Sequence, residues 1–212
     1  MRVIIRNEEP SDYRQVEEVA REAFWNLYIP GATEHQVIHH IRKHQDFIPE
    51  LSFVIEVDQE IVGAIFYTRS GIVQQNGEVF KTISFGPVFI HPNYHRQGLG
   101  RKLITHSIDV AKKLGYTVIT TLGYDYHYKP YGFLGGKTYG ISMPDGNFYK
   151  GLLVLPLKEG VLDGISGYAI FSEGLEPDEA TLESYESSFP YKEKCVEPSQ
   201  QEYQEACVML DC

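Results

Sequence analysis

The chain has 212 residues, of which 42% are hydrophobic and 23% charged, a composition typical of a globular protein with one substantial domain. Its formal net charge of −10 argues against nucleic acid as a partner, because phosphate binding requires an excess of Lys and Arg. No apolar run approaches the roughly 20 residues that cross a bilayer, and the amino-terminal sequence turns acidic too early for a secretory signal. We therefore expect a cytoplasmic protein that does not bind membranes.

The hydrophobic pattern of the first half of the chain predicts an α/β order of elements. Apolar residues recur at helical spacing after Pro10 and again after Thr33, whereas alternating or β-branched apolar runs indicate strands. The expected elements are a strand at 2–5, a helix from Pro10 through Phe24, a helix from Thr33 to about His44, and strands at 51–57, 61–69 and 81–90.

The most informative stretch is a polar, glycine-bearing loop at 93–100 between a strand and a helix. Apolar positions keep helical spacing from Leu99 to Leu114, and Gly115 is expected to end this helix as a C-cap. A β-branched strand at 117–122 follows. Strand, loop, helix and strand in this order form a βαβ unit, which predicts parallel pairing of the two strands.

Residues 1–157 are expected to form one domain, and residues 158–212 a carboxyl-terminal extension. The last strong strand covers 149–157, and beyond it glycines separate short apolar pieces, a helix at 178–189 and an acidic end. The extension has too few apolar residues for a core of its own, so we expect it to pack on the first domain.

The three cysteines, Cys195, Cys207 and Cys212, all lie near the carboxyl end of the chain. An odd number clustered in a tail is a poor disulfide framework and indicates reduced thiols in a cytosolic protein. No local motif marks any of them as a nucleophile, so we expect catalysis to use other residues.

The sequence HRQGLGRKLI at 95–104 combines features that suit a diphosphate group. Gly98 and Gly100 allow backbone N–H groups to approach a bulky anion, and a helix start adds unpaired donors and a favourable dipole. Arg96 and Arg101 add positive charge. The third glycine of a dinucleotide-binding fingerprint is missing, and the spacing of a Walker-type loop is absent. An ordinary glycine turn before a surface helix is the structural alternative.

Two motifs together resemble the GNAT superfamily of N-acetyltransferases. FGPVFIHPNYHRQGLGRKLI at 85–104 is similar to the family signature, a strand followed by [QR]-x-x-G-x-[GA] at a helix start, and YKPYGF at 128–133 is similar to its Tyr-x-x-x-Gly-Phe segment. The resemblance implies an α/β (α+β) fold, a central twisted mixed sheet flanked by helices. It further implies a strand bulge that splays two parallel strands, with acetyl-CoA as co-substrate and its thioester arm in the gap.

The resemblance also assigns the residues that bind the cofactor. The backbone of three residues is expected to pair with the pantetheine arm: Val88, Phe89 and Ile90. The diphosphate is expected to contact the loop and helix start: His95, Arg96, Gln97, Gly98, Leu99, Gly100 and Arg101. His95 stands where the family has Gln or Arg, so its side chain departs from the family pattern.

Acetyl transfer to an amine requires a proton for the leaving thiolate, and the resemblance assigns this step to Tyr128 as general acid. The chain has 15 tyrosines, so an ordinary packing tyrosine is the alternative role, and Tyr126 and Tyr131 are the other candidate acids.

The general base is not identified by the sequence. His127 and Asp125 lie close to the proposed acid along the chain, and a chain of water molecules would also serve. In the strand at 81–90, Ser84 is the only polar residue expected to point inward.

Two further patterns have ordinary structural explanations. Histidines recur four apart on a predicted helix, which is metal-ligand spacing, but no third ligand is marked and we expect no metal site. The histidines concerned are His35 with His39, and His40 with His44. Phe24, Trp25 and Tyr28 are expected either to line an acceptor pocket or to pack into the core.

The sequence therefore predicts an acetyl-CoA-dependent N-acetyltransferase that acts on a primary amine of a small molecule or a protein. A monomer or homodimer is expected, without nucleic-acid, metal or membrane partners. Two alternatives retain the same loop: a non-catalytic acyl-CoA-binding or sensor module, and a nucleotide-binding domain that would accept ADP-containing dinucleotides.

Overall fold

The computed structural model describes residues 2–211 and contains one mixed β-sheet with helices on both faces. The strands are β1 (Val3–Asn7), β2 (Phe53–Val57), β3 (Glu60–Gln74), β4 (Val79–Ile90), β5 (Val118–Leu122), β6 (Leu134–Gly135), β7 (Ile141–Ser142), β8 (Leu152–Pro156) and β9 (Gly167–Ile170). The α-helices are α1 (Tyr13–Phe24), α2 (Glu34–Ile41), α3 (Leu99–Lys113), α4 (Asp125–Tyr128), α5 (Glu179–Glu186) and α6 (Pro198–Cys207).

The sheet has the strand order β1-β2-β3-β4-β5-β8-β6. Neighbours in this order pair antiparallel except β4 and β5, which are parallel and are connected through α3. The βαβ unit predicted from the sequence is therefore present. Gly115, with φ of +88°, follows the last turn of α3 as the predicted C-cap.

Alternation of side chains along β3 divides the core into two layers. Ile65 and Tyr67 face α3, whereas Ala64 and Phe66 face α1 and α2, and all four are fully buried. Successive side chains of a strand point to opposite faces, so a continuous apolar run indicates a strand covered on both sides. This is why the central strand is apolar throughout.

The segment after β8 is joined to the rest of the chain by both backbone and side chains. β9 pairs antiparallel with β3 and parallel with β7. A third apolar cluster brings Leu162 and Ala169 of this segment against Ile72 and Val154 of the sheet. The side chain of Glu186 in α5 contacts the guanidinium of Arg21 at 2.5 Å.

Several predicted boundaries differ from the observed ones. The second helix ends at Ile41 rather than about His44, because the chain turns there and the backbone N–H of Asp46 bonds the His44 ring at 3.2 Å. The strand predicted at 61–69 continues to Gln74, since both β4 and β9 pair with its distal half. β9 and α6 lie in the extension, where no strand beyond 149–157 and no helix beyond 178–189 was expected.

No helix within residues 2–211 is long and apolar enough to cross a membrane. Cys195 and Cys207 are free thiols, whereas Cys212 lies outside the described residues.

Candidate active site

The parallel strands β4 and β5 separate toward their carboxyl ends. Their short ladder ends where Ser84 lies opposite Thr120, and just beyond it the Thr121 hydroxyl donates to the Phe85 carbonyl at 3.2 Å. On its other side, β4 stays paired with β3 as far as Ile90. The part of β4 after the ladder thus has one paired edge and, within the described chain, one open edge along a gap.

A bulge in β4 produces this separation. Ile65 and Tyr67 of β3 are two residues apart, but their partners Val88 and Phe85 on β4 are three apart, so β4 carries one extra residue around Gly86. A bulge bends the strand that carries it and increases its twist, which turns β4 away from β5. The splayed arrangement implied by the family resemblance is present.

Alternate residues of β4 direct their backbone groups to opposite edges. The N–H of His91 donates to the Val62 carbonyl at 2.7 Å, so His91 and Phe89 bond to β3, whereas Val88 and Ile90 turn their N–H and C=O groups toward the gap. Phe89 therefore does not offer its backbone to a ligand as predicted. Its buried side chain forms part of the core instead.

The loop at 93–100 leads into the N-terminus of α3, and its residue Gly98 has a left-handed backbone conformation that favours glycine. Gly98 precedes α3 with φ of +76°, and a Cβ built there would meet no atom within 4 Å, so its surroundings are open. The first N–H groups of a helix lack intrahelical partners, and the helix dipole makes this end positive. The backbone N–H groups that follow Gly98 therefore have the arrangement that suits an anion.

The side chains around this helix start have two roles: one packs into the core, and two provide positive charge at the surface. Leu99 is 1% exposed and packs in the core, so only its backbone is available to a ligand. Arg96 and Arg101 are exposed, and neither forms an ion pair with any residue in 2–211. Both guanidinium groups are therefore free to contact a phosphate.

His95 differs from its neighbours in the loop. Its Nε2 donates to the Ile90 carbonyl at 2.7 Å and thereby holds the loop against the end of β4. This bond occupies Nε2, so the side chain predicted to contact the diphosphate also positions the loop, and Nδ1 is the ring nitrogen that remains for a phosphate. Because the Ile90 carbonyl accepts this bond, the N–H of Ile90 is its free backbone group on the gap side.

Tyr128 lies at the end of α4, where its ring borders the gap. The ring packs on Phe85 of β4 at 5.3 Å and on Phe133 at 5.8 Å between centroids. It also lies against the backbone of Gly123, where an added Cβ would be 2.6 Å from the ring. Gly123 is therefore required for Tyr128 to take this place directly after β5.

The Tyr128 hydroxyl has the protonation state that a general acid needs. Burial, and to a smaller extent the neighbouring phenols of Tyr28 and Tyr131, raise the pKa of Tyr128 well above its ordinary value. The group is therefore a neutral phenol at physiological pH. Its hydroxyl makes no hydrogen bond to any residue that the structure describes, which leaves it free for a ligand.

The two candidate bases lie on the same short helix as Tyr128. His127 and Asp125 are both exposed, and burial of part of the ring lowers the pKa of His127, which favours the neutral imidazole. Neutral imidazole is the form that accepts a proton. Neither residue forms a hydrogen bond through its side chain within residues 2–211, so the structure does not distinguish them.

β4 carries one more inward polar residue than the sequence predicted. Thr82 is buried together with Ser84, and its hydroxyl lies 2.7 Å from that of Ser70, which in turn lies 3.3 Å from the Thr120 hydroxyl. These hydroxyls bond one another where β3, β4 and β5 are still paired. They lie before the gap and supply no proton acceptor within it.

Three of the four histidines with metal-ligand spacing, His35, His39 and His44, bond other side chains. His35 contacts Glu186 at 2.9 Å, and His39 contacts Glu17 at 3.1 Å. No group of three or more His, Cys, Asp or Glu side chains in the described part of the chain is arranged to hold a metal ion.

Comparison with known proteins identifies the family. The model of the acetyltransferase (GNAT) family matches residues 18–130, more than half of the chain. No curated protein matches the chain by sequence.

Solved structures share the fold at low sequence identity. The GNAT family N-acetyltransferase YhbS from Escherichia coli, in complex with CoA, has a TM-score of 0.72 and 22% identity over 82% of this chain and 92% of that chain. A GNAT family acetyltransferase from Brucella melitensis, in complex with acetyl-CoA, has a TM-score of 0.66 and 21% identity over 82% and 99%. The ribosomal-protein-S18-alanine N-acetyltransferase from Escherichia coli has a TM-score of 0.52 and 16% identity over 74% and 95%.

A mixed sheet with a splayed parallel pair, together with the family match over residues 18–130, defines the class, an α/β acetyltransferase. The chain belongs to the acetyltransferase (GNAT) family. The predicted family and fold class are confirmed, and so is the predicted enzyme class, an acetyltransferase. The ligands of the two similar structures, CoA and acetyl-CoA, agree with the co-substrate expected from the sequence.

Proposed function

We propose that the protein transfers the acetyl group of acetyl-CoA to a primary amine of a small molecule or a protein, with Tyr128 as general acid. The observation that carries this proposal is the alignment of three features along one gap. These are the free backbone groups of Val88 and Ile90, the open helix start at Gly98, and the neutral phenol of Tyr128.

In this proposal the backbone of β4 pairs with the pantetheine arm, as an added strand would. The helix start and the free guanidinium groups of Arg96 and Arg101 bind the diphosphate. The thioester then lies in the gap beside Tyr128. We assign these roles to residues 1–157, with residues 158–212 as an extension that completes the surroundings of the gap.

Calorimetric titration tests cofactor binding directly. We expect acetyl-CoA to bind the purified protein, and NAD, titrated in parallel, to show no binding, because the gap holds the acyl arm and the loop lacks the dinucleotide fingerprint. Tight binding of NAD with no binding of acetyl-CoA would instead identify a nucleotide-binding domain.

A matched pair of glycine variants tests the helix start. Gly98→Ala should weaken acetyl-CoA binding about tenfold or more, since a hydrogen bond to a charged group contributes roughly 1.5–3 kcal/mol and the methyl group enters the space where the diphosphate is expected. Gly77→Ala is the control, because Gly77 also has positive φ (+83°) and open surroundings but lies in the turn between β3 and β4.

Both variants should lose about 1–2 kcal/mol of unfolding free energy, the approximate cost of a left-handed conformation for a non-glycine residue. Equal loss of acetyl-CoA affinity in the two variants would mean that backbone strain, and not the anion site, determines binding. If the wild-type protein binds acetyl-CoA, a screen of amines that monitors release of the CoA thiol tests the transfer reaction itself.

A further inference from the structure

The loop between α1 and α2 is fastened by the carboxyl-terminal segment of the chain. The indole N–H of Trp25 donates to the Glu193 carbonyl at 2.8 Å, and the Asn26 side chain accepts the Cys195 N–H at 3.1 Å. The amide of Gln200, at the start of α6, donates to the Asn26 carbonyl at 3.0 Å. The extension thus fixes this loop in place.

Beyond these contacts, α6 adds an aromatic wall that reaches toward the gap. Tyr203 stacks on Tyr28 with 4.4 Å between ring centroids. Tyr28 contacts Phe24 at 5.9 Å, and Phe24 contacts Phe89 of β4 at 5.8 Å. The phenol of Tyr28 is also close enough to Tyr128 to raise the pKa of that group. A row of aromatic rings in contact therefore runs from α6 to β4.

The chain after α6 closes the other side of this space. The N–H of Lys150, just before β8, donates to the Met209 carbonyl at 2.9 Å, and the N–H of Asp211 donates to the Phe148 carbonyl at 2.8 Å. The segment from Glu193 to Asp211 therefore spans from the loop between α1 and α2 to the loop before β8.

Glu34, the first residue of α2, places a carboxylate in these surroundings without a cationic partner. Its Oε2 accepts the Thr33 N–H at 3.0 Å, and it forms no ion pair with any residue in 2–211. Burial raises the pKa of Glu34. Burial, together with the nearby charge of Glu34, raises the pKa of Tyr28 to about 12. Burial and then the neighbouring Cys207 thiol raise the pKa of Tyr203, with smaller contributions from Tyr28 and Glu34.

Three deeply buried carboxylates have a cationic partner. Arg42 pairs with Glu8 and Glu17, and Arg6 pairs with Asp12. A carboxylate withdrawn from water destabilises the fold unless a positive charge compensates it. The unpaired carboxylate of Glu34 therefore points to a cation supplied from outside the chain.

We propose that Glu34, Tyr28 and Tyr203 form the acceptor pocket, which takes a small primary ammonium ion with an apolar or aromatic body. This inference rests on the proposed acetyl transfer and specifies its substrate class. The carboxylate binds the ammonium group, while the tyrosine faces stabilise the cation and pack on the body of the ligand. The segment from Glu193 to Asp211 narrows access, which favours a small molecule over a protein chain.

The pocket also accounts for the protons of the reaction. Glu34 accepts one proton from the bound ammonium and becomes a neutral acid, leaving a free amine. The amine nitrogen forms a bond to the thioester carbon, and the C–S bond of the resulting intermediate breaks. Tyr128 donates its proton to the thiolate, giving CoA, and recovers one from the acylated nitrogen. Glu34 then releases its proton to solvent.

Binding to the CoA-saturated protein tests the pocket without turnover. We expect 2-phenylethylamine to bind this complex, and the neutral analogue 2-phenylethanol to bind at least tenfold more weakly. Glu34→Gln should weaken amine binding at least tenfold and leave 2-phenylethanol and acetyl-CoA binding unchanged. Glu34→Asp should restore part of the amine affinity. Glu205→Gln, which removes the same charge from the exposed face of α6, is the control and should bind like wild type.

Stability and turnover distinguish this role from a structural one. Glu34→Gln removes an enclosed charge, so thermal unfolding should show no loss of stability, whereas the KM for the amine rises and kcat/KM falls about a hundredfold. Tyr203→Leu, as a second variant, should raise the KM for the amine and leave the Kd of acetyl-CoA unchanged.

Two results would overturn the inference while leaving the proposed function intact. One is equal amine binding and turnover in wild type and Glu34→Gln. The other is binding of acetyl-CoA without binding of 2-phenylethylamine or spermidine to the CoA complex, together with acetylation of a lysine-containing peptide. Absence of acetyl-CoA binding in the wild type would instead contradict the proposed function itself.

Discussion

Replacing Tyr128 by Phe should lower kcat by about 10²–10⁴-fold, the range expected when a general acid is removed. The Kd of acetyl-CoA should change little, because the proposed cofactor contacts come from the backbone of β4 and from the start of α3. The ring itself remains packed against Phe85 and Phe133, so stability should be nearly unchanged. Steady-state kinetics that monitor thiol release, combined with calorimetry, measure both quantities.

The other tyrosines of this region provide the controls for Tyr128→Phe. Tyr126 is 62% exposed, and Tyr131 is partly buried against the main core cluster. Tyr126→Phe and Tyr131→Phe should keep kcat within a few-fold of wild type. If Tyr128→Phe kept full activity and kcat fell strongly in one of these variants, the general acid would be the residue replaced in that variant. A wild-type protein that binds acetyl-CoA and releases no thiol with any amine would instead be a non-catalytic sensor module.

The helix start could be predicted from the sequence because its chemistry is local. Gly98 must adopt positive φ before α3, and the N–H groups that follow are unpaired in any helix. A short window of sequence therefore contains both the geometry and the charge of this site. Tyr128 was assigned in a different way, by the resemblance of the segment from Tyr128 to Phe133 to a segment of the GNAT family.

The direction of backbone groups in β4 could not be predicted in this way. Val88, Phe89 and Ile90 look equivalent in sequence, but the register with β3 directs Phe89 to its partner strand and the other two to the gap. The role of His95 also depends on the fold, since its ring bonds a carbonyl five residues earlier in the chain. Register and side-chain direction are set by tertiary pairing, which motif spacing does not report.

The sequence offered Tyr28 as a possible acceptor-pocket residue, but not Glu34 or Tyr203, because the parts of the proposed pocket are distant in sequence. Gln200 and Asn26, which join α6 to the loop after α1, are separated by 174 positions. The sequence of α6 is polar and gives little indication of a buried face, whereas the burial of Gln200 and the stacking of Tyr203 on Tyr28 show which side packs inward. Glu34 shows no sign of its enclosed position in the sequence, since acidic residues in the first turn of a helix are ordinary.

A second large effect is expected at the other end of α2, where Arg42 lies between two carboxylates. Its guanidinium bonds Glu8 at 2.7 Å and also bonds Glu17, and the three side chains are 4%, 3% and 6% exposed. Arg42→Ala should lower the free energy of unfolding by about 3–5 kcal/mol, because it leaves the buried carboxylate of Glu8 without a cationic partner and that of Glu17 with His39 alone. Urea unfolding followed by circular dichroism measures this loss.

Two further variants test whether the buried charges cause the loss of stability in Arg42→Ala. Lys192→Ala breaks a partly exposed ion pair with Glu22, with side chains 33% and 45% exposed, and should cost about 1 kcal/mol or less. Replacing Arg42 by Met together with Glu8→Gln and Glu17→Gln should recover most of the stability, since no buried charge then remains. A triple variant as unstable as Arg42→Ala would show that the charges are not the cause.

The loss of unfolding free energy in Arg42→Ala should also depend on pH. Burial raises the pKa of Glu8 even beside Arg42, which opposes that rise, so removing the guanidinium raises this pKa further. A carboxyl group whose pKa is higher in the folded than in the unfolded state favours folding at acid pH, and this contribution is lost as the pH rises through the folded-state pKa. The variant should therefore differ less from wild type in mild acid than at neutral pH. An equal loss at both pH values would instead attribute the effect to the stacking of Arg42 on Tyr13, at 4.0 Å from the ring centroid.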